Sequence, residues 1–154
     1  MVIVEKIPAE RLDAARTTIQ GLIAAARVDT ADVCRLRSIL GDAPGLSAAE
    51  VETLFELERV ATAKCAEWVA FLVDCVTDYI VWQQRPTGVV TSAQAEWLLA
   101  QADACRSVGA FAALVNILAE AHRVPAWLPA AIRGRAAQWP DLAGALRATG
   151  VAAA

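Results

Sequence analysis

Asp74 and Asp78 stand four residues apart in a stretch, Trp68 to Trp82, that is otherwise almost entirely apolar. On a helix, side chains at that spacing approach to about 5–6 Å. Two carboxylates so placed can clamp a hard cation such as Mg²⁺ or Ca²⁺, receive a partner's Arg or Lys, or work as an acid–base pair. At 100° per residue Glu67, Asp74, Asp78 and Arg85 fall within about 40° of one another. Trp68, Phe71, Cys75 and Trp82 flank one side of this line, and Val69, Val73, Val76 and Ile80 lie beyond it. Asp42, in the loop Gly41-Asp42-Ala43-Pro44-Gly45, is the acid that would complete a metal site with Asp74 and Asp78. The alternatives are a solvated helix edge, or one Asp bonding the backbone of a neighbouring loop. Like charges at this spacing destabilise a bare helix and a buried carboxylate is costly without a partner, so something is expected to compensate them.

Other chemistry has less support. His122 is the only histidine, too few for a His-rich zinc site, and it is read as a cation near a helix C-terminus. The four cysteines, Cys34, Cys65, Cys75 and Cys105, have 30, 9 and 29 residues between them and form no C-x-x-C pair. They are read as reduced, mostly buried thiols. No phosphate-cradling glycine loop and no recognisable nucleophile motif is present, which leaves an enzyme using the Asp pair as the least supported class. Five tryptophans are many for this length, and Trp97 and Trp127 are candidate partner contacts together with Glu67. Trp97 adjoins Leu98 and Leu99, so either it fills core volume between helices or it marks an exposed patch.

The elements that must position these residues are helical. Gly and Pro fall between segments of three-and-four periodicity, and strand-like alternation is absent apart from Val2-Ile3-Val4 and Val89-Val90. Helices are expected from Pro8 to about Arg27, from Thr30 to the Gly41–Gly45 loop, and from Ser47, where Ser47-x-x-Glu50 forms a capping box. A fourth runs from about Thr62–Ala66 to about Gln84, stopped by Pro86. Thr91-x-x-Gln94 caps a fifth, Ser107 or Gly109 opens a sixth, and Pro125 and Pro129 bracket the start of a seventh. Pro140 sets off a last piece, Asp141 to Ala148. The expectation is an all-α, compact single domain of seven or eight helices, a TerB-like or orthogonal bundle, spanning 1–154 with its core at about 9–139 and less order at 1–7 and 149–154.

The chain has 154 residues, 57% of them hydrophobic and 20% charged, with 14 basic against 17 acidic side chains and a formal net charge of −3. Disorder is excluded by that apolar content, and a nucleic-acid surface by scattered, outnumbered basic residues. The front half is the acidic one: residues 1–77 carry 8 basic and 12 acidic side chains, residues 78–154 carry 6 and 5. No apolar run reaches the length of a spanning helix, and the opening residues lack the form of a signal peptide, so a cytoplasmic protein without membrane insertion is expected.

Leu46–Phe55 aligns with Val90–Leu99 at an offset of 44 residues, each copy running from a Pro/Gly loop through one apolar residue into a capped helix. Either a helix–loop–helix duplication or mere likeness of capped amphipathic helices accounts for it. With Leu46 at position eight of an EF-hand loop, Glu50 falls at the calcium-clamping position twelve. Positions one, three and five are then Ile39, Gly41 and Ala43, which offer no side-chain oxygen, and Gln94 replaces the acid in the second copy. Capping is the better account of Glu50 and Gln94. The loop Gly41-Asp42-Ala43-Pro44-Gly45-Leu46-Ser47-Ala48-Ala49-Glu50 is similar to the D-G-x-[VI]-s-x-x-E loops of tellurite-resistance TerB-like helical domains. Together with the acid-bearing Asp74–Trp82 helix, the second loop Pro86–Gln94 and Val124-Pro125, it makes residues 30–130 resemble that family, with departures at Ala43 and Pro44. The resemblance implies an all-helical fold with an acidic, metal-associated surface and partner-dependent roles. The expected function is a non-catalytic cytosolic domain acting through a protein partner, with a divalent-metal module on Asp74 and Asp78 as the alternative.

Overall fold

The computed structural model describes residues 9–40 and 45–148, and the expectations made for Asp42 and for residues 1–7 and 149–154 lie outside them. Among the described residues the chain forms eight α-helices: α1 (Ala9–Ala25), α2 (Thr30–Leu40), α3 (Ala48–Val60), α4 (Ala66–Thr77), α5 (Ser92–Cys105), α6 (Val108–Glu120), α7 (Leu128–Gln138) and α8 (Pro140–Ala148). The protein is all-α, as its periodicity predicts. The single sheet consists of two parallel two-residue strands, β1 (Arg27–Val28) and β2 (Ala63–Lys64), too short to leave an alternating pattern.

α6 organises the packing because it is apolar nearly all round. Gly109, Ala110, Phe111, Ala112, Ala113, Leu114 and Ile117 are all buried, and a helix without a polar face must be covered on every side. α4 is its most extensive neighbour, with α5, α7 and α8 around it, while α1, α2 and α3 form a second group joined through α2–α4, α3–α4 and α3–α5 contacts. Thr77 of α4, 2% exposed, accepts a 2.8 Å hydrogen bond from the Asn116 amide of α6, so the one buried hydroxyl at this seam is satisfied.

Several predicted starts are visible as hydrogen bonds. Thr91 and Gln94 form the full reciprocal capping box, at 3.2 Å from the Gln94 N–H to Oγ1 and 2.8 Å from the Thr91 N–H to the Gln94 side chain. Ser107 Oγ caps α6 through the Ala110 N–H at 3.3 Å. Glu50 takes the Ser47 N–H at 3.0 Å and Arg16 of α1 at 2.8 Å, two partners that account for its burial.

The fourth helix departs from expectation at its C-terminal end. α4 stops at Thr77, and Asp78–Trp82 form a π-turn in which the Gln83 N–H reaches back five residues to the Asp78 carbonyl at 2.8 Å. Arg85 therefore lies beyond the helix in the following loop and is not part of the acidic line.

Candidate functional site

The π-turn decides what the acidic edge presents. In an unbroken α-helix Trp82 would lie within about 20° of Cys75 and point inward with it. A wider turn advances fewer degrees per residue, so Trp82 lags behind that direction and arrives on the Asp74–Asp78 side. Its exposure follows: Trp68 and Cys75 are buried at 0% and 2%, whereas Trp82 is 40% exposed.

The second wall of the site comes from the end of α6. Glu120 accepts the Trp82 indole N–H at 3.2 Å, and the His122 ring meets the indole edge-on with centroids 5.9 Å apart. Gly88 holds this wall in place. It donates its N–H to the Val81 carbonyl at 2.7 Å, and its own carbonyl accepts the His122 N–H at 2.8 Å and the Arg123 N–H at 3.1 Å. Its φ of +79° suits glycine, and a Cβ there would run into the His122 ring. The Val90 N–H to the Arg123 carbonyl, 2.9 Å, completes the join.

The two aspartates divide in role. Asp74 is 62% exposed and pairs with Arg37 of α2 at 3.4 Å, while the Arg37 guanidinium also lies 5.2 Å from the Phe71 ring centre. Exposed pairs of this kind contribute at most about 1 kcal/mol. Asp78 is half-buried and has no ion pair among the described residues. Burial raises its pKa above the ordinary carboxylate value, and the charges of Asp74 and Glu120 push in the same direction. The expected compensation is thus supplied to Asp74 by a neighbouring helix, and among the described residues none is paired with Asp78.

The remaining candidates are dispersed. Glu67 is exposed at the start of α4 and accepts from the Thr30 hydroxyl at 3.1 Å; hydrogen bonding, first from its own backbone N–H and then from Thr30, holds its pKa below the ordinary value. Trp97 is half-buried, its indole donates to Glu52 at 2.9 Å, and its ring meets Phe55 and Tyr79 edge-on, so it joins α5 to α3. Trp127 is 40% exposed just ahead of α7. Of the cysteines only Cys75 is buried; Cys34 is exposed, Cys65 and Cys105 are intermediate, and all four are free. Burial lifts the Cys75 thiol to about 12 and the Cys105 thiol to about 11, which makes both poor nucleophiles at neutral pH.

One cluster went unread in the sequence. Glu58, 2% exposed in α3, accepts the Lys64 ammonium at 2.9 Å and the Trp68 indole N–H at 2.6 Å. Its carboxylate lies against Gly109, where a Cβ would come within 2.8 Å of it. The signal was a glycine in the first turn of an apolar helix, open to the reading that a carboxylate needs that space. Every partner of Glu58 is spoken for, and the cluster ties α3, α4 and α6 together as structure.

Among the described residues no three His, Cys, Asp or Glu side chains are grouped so as to hold a metal ion, and no helix is long and apolar enough to cross a membrane. No family model, curated protein or solved structure matches the chain.

Proposed function

We propose that this chain is a non-catalytic binding domain that takes a basic side chain of a protein partner at the corner formed by Trp82, Asp78, Glu120 and Asp74. The observation that supports this reading is Asp78: a half-buried carboxylate that feels the charges of two others, with no cation paired to it among the described residues, beside an exposed indole. An arginine suits the place. Its planar guanidinium stacks on tryptophan and bonds carboxylates at the same time, and an indole face is the best aromatic surface for a cation. Exposed Trp is also the residue type most enriched among energetically dominant contacts in protein interfaces. A partner-dependent role of this sort is what the TerB-like resemblance of residues 30–130 implies.

The test is a titration of the ¹⁵N-labelled chain with an arginine-rich peptide, a glutamate-rich peptide and MgCl₂ in parallel. The expected result is a saturable shift of the Trp82 indole signal with the arginine peptide alone, weakened in Glu120→Gln and in Asp78→Asn. A shift that survives both substitutions would overturn the reading. A saturable shift with Mg²⁺ in place of the peptide would transfer the site to a divalent cation.

A further inference from the structure

α6 leaves one sector of its apolar surface incompletely covered. Phe111, Val115 and Leu118 follow one another at spacings of four and three, on a single face of the helix. Val115 and Leu118 stay half-buried, whereas Leu114 and Ile117 on the adjoining faces are fully buried. Against this sector lies a partly enclosed cavity of about 230 Å³, where α6, α7 and α8 meet. Ile132 and Ala136 of α7 form its second wall, and Ala143 and Leu146 of α8 its third. α7 and α8 are joined by Trp139 alone, a link too short for an antiparallel helix pair. Two alanines stand where larger side chains would fill the space.

Two arginines complete the lining, Arg133 of α7 and Arg147 of α8. Both are exposed, and neither has a carboxylate partner among the described residues. An arginine beside an apolar wall lays its methylene stem along it and keeps its guanidinium in water. The cavity thus has an apolar interior and a cationic mouth, with no acidic side chain among the described residues that line it. On a chain of net charge −3 this is a local reversal of sign. Volume limits what can enter. An apolar cavity of about 150 Å³ takes up benzene, while drug-sized sites begin at about 300 Å³. At 230 Å³ the body that fits is a single ring or a short alkyl chain.

We propose that the cavity between α6, α7 and α8 binds a small free amphipathic carboxylate. Its apolar chain lies among Val115, Leu118 and Ile132, and its carboxylate sits at the mouth with Arg133 and Arg147. Each methylene buried tightens binding about fourfold until the space is filled. The charged end fixes the orientation, since arginine pairs with both oxygens of a carboxylate at once.

The experiment uses the full-length chain labelled with ¹³C at the isoleucine δ1 methyls, the Ile132 signal being assigned from its loss in Ile132→Val. Sodium octanoate is expected to move that signal saturably at sub-millimolar concentration, sodium hexanoate about tenfold more weakly, and sodium acetate not at all. 1-Octanol and octyltrimethylammonium keep the chain without the negative charge, and both are expected to bind at least about threefold more weakly than octanoate. The double variant Arg133→Gln, Arg147→Gln is expected to remove that preference and leave the octanol response intact. Ala136→Leu fills the cavity and is expected to abolish the octanoate response. No saturation with octanoate would overturn the proposal, as would equally tight octanol or octyltrimethylammonium, or a preference for octanoate retained without the two arginines. Persistence of the response in a folded Ala136→Leu chain would overturn it as well. None of these results bears on the Trp82 corner.

Discussion

Gly109 offers a test in which two general rules predict opposite signs. It sits in the first turn of α6, and replacing a helical glycine with alanine stabilises by up to about 1 kcal/mol through backbone entropy. Against that, the new Cβ would stand 2.8 Å from Cδ and both oxygens of Glu58, closer than a methyl group and a carboxylate can approach. The carboxylate must withdraw, and its bonds to Lys64 and Trp68 are lengthened or lost. Trp68 is fully buried, so its indole N–H has no water to replace the acceptor. Hydrogen bonds to charged groups are each worth about 1.5–3 kcal/mol, and Lys64, 27% exposed, recovers part of its loss by hydration. We therefore expect Gly109→Ala to cost about 2 kcal/mol net, which for a domain of this size lowers Tm by about 4–8 °C. Gly21, Gly134 and Gly144 are the controls: all three lie in helices and a Cβ at each meets nothing within 4 Å. Their alanine variants are expected to hold or raise stability. Thermal and urea unfolding followed by circular dichroism measure all four. In a Glu58→Ala background, where the obstruction is gone, Gly109→Ala is expected to turn neutral or stabilising. A Gly109→Ala chain as stable as the wild type would refute the assignment of Glu58 as the cause of that glycine.

Gly88→Ala combines a left-handed backbone, worth about 1–2 kcal/mol against a Cβ, with collision into the His122 ring, so we expect a loss of at least about 2 kcal/mol by urea denaturation. In that variant His122 and Trp82 should also lose their mutual ring-current shift. Asp78→Asn removes a carboxylate repelled by Asp74 and Glu120, and is expected to stabilise at neutral pH by about 0.3 kcal/mol or more from the four-residue repulsion alone. The pH dependence has a definite sign. The folded-state pKa of Asp78 lies above its unfolded value, so the folded chain binds the proton more readily and wild-type stability falls as pH rises through the interval between the two. The advantage of Asp78→Asn should accordingly vanish toward acid pH, and a variant less stable than wild type at neutral pH would contradict the account.

Helix existence was legible because its determinants are local. Thr91-x-x-Gln94, Ser107 and the prolines at 129 and 140 each act within a turn of their own position, and the corresponding helix ends fall within a few residues of expectation. The acidic helix was legible as a composition but not as a surface. A wheel of uniform pitch places Trp82 beside Cys75, and no local residue signals that the ladder widens at Asp78, since the loop is drawn onto His122 and Arg123 by hydrogen bonds across more than thirty residues. The same distance hid Arg37 as the partner of Asp74 and Glu120 as the neighbour of Asp78. Glu58 was unreadable for a further reason: a glutamate within an amphipathic helix looks like a solvated side chain until Trp68 and Gly109 close over it.

The widened turn at Asp78–Trp82 also has an evolutionary corollary. It holds one residue more than an α-helical turn would between two anchored stretches, the buried seam ending at Thr77 and the join at Gly88. Deleting one position inside it would restore regular pitch while disturbing neither anchor, and a different side chain would then occupy the corner. Insertion and deletion, more than substitution, are the changes by which descendants of this chain could exchange what they recognise while inheriting the same interior.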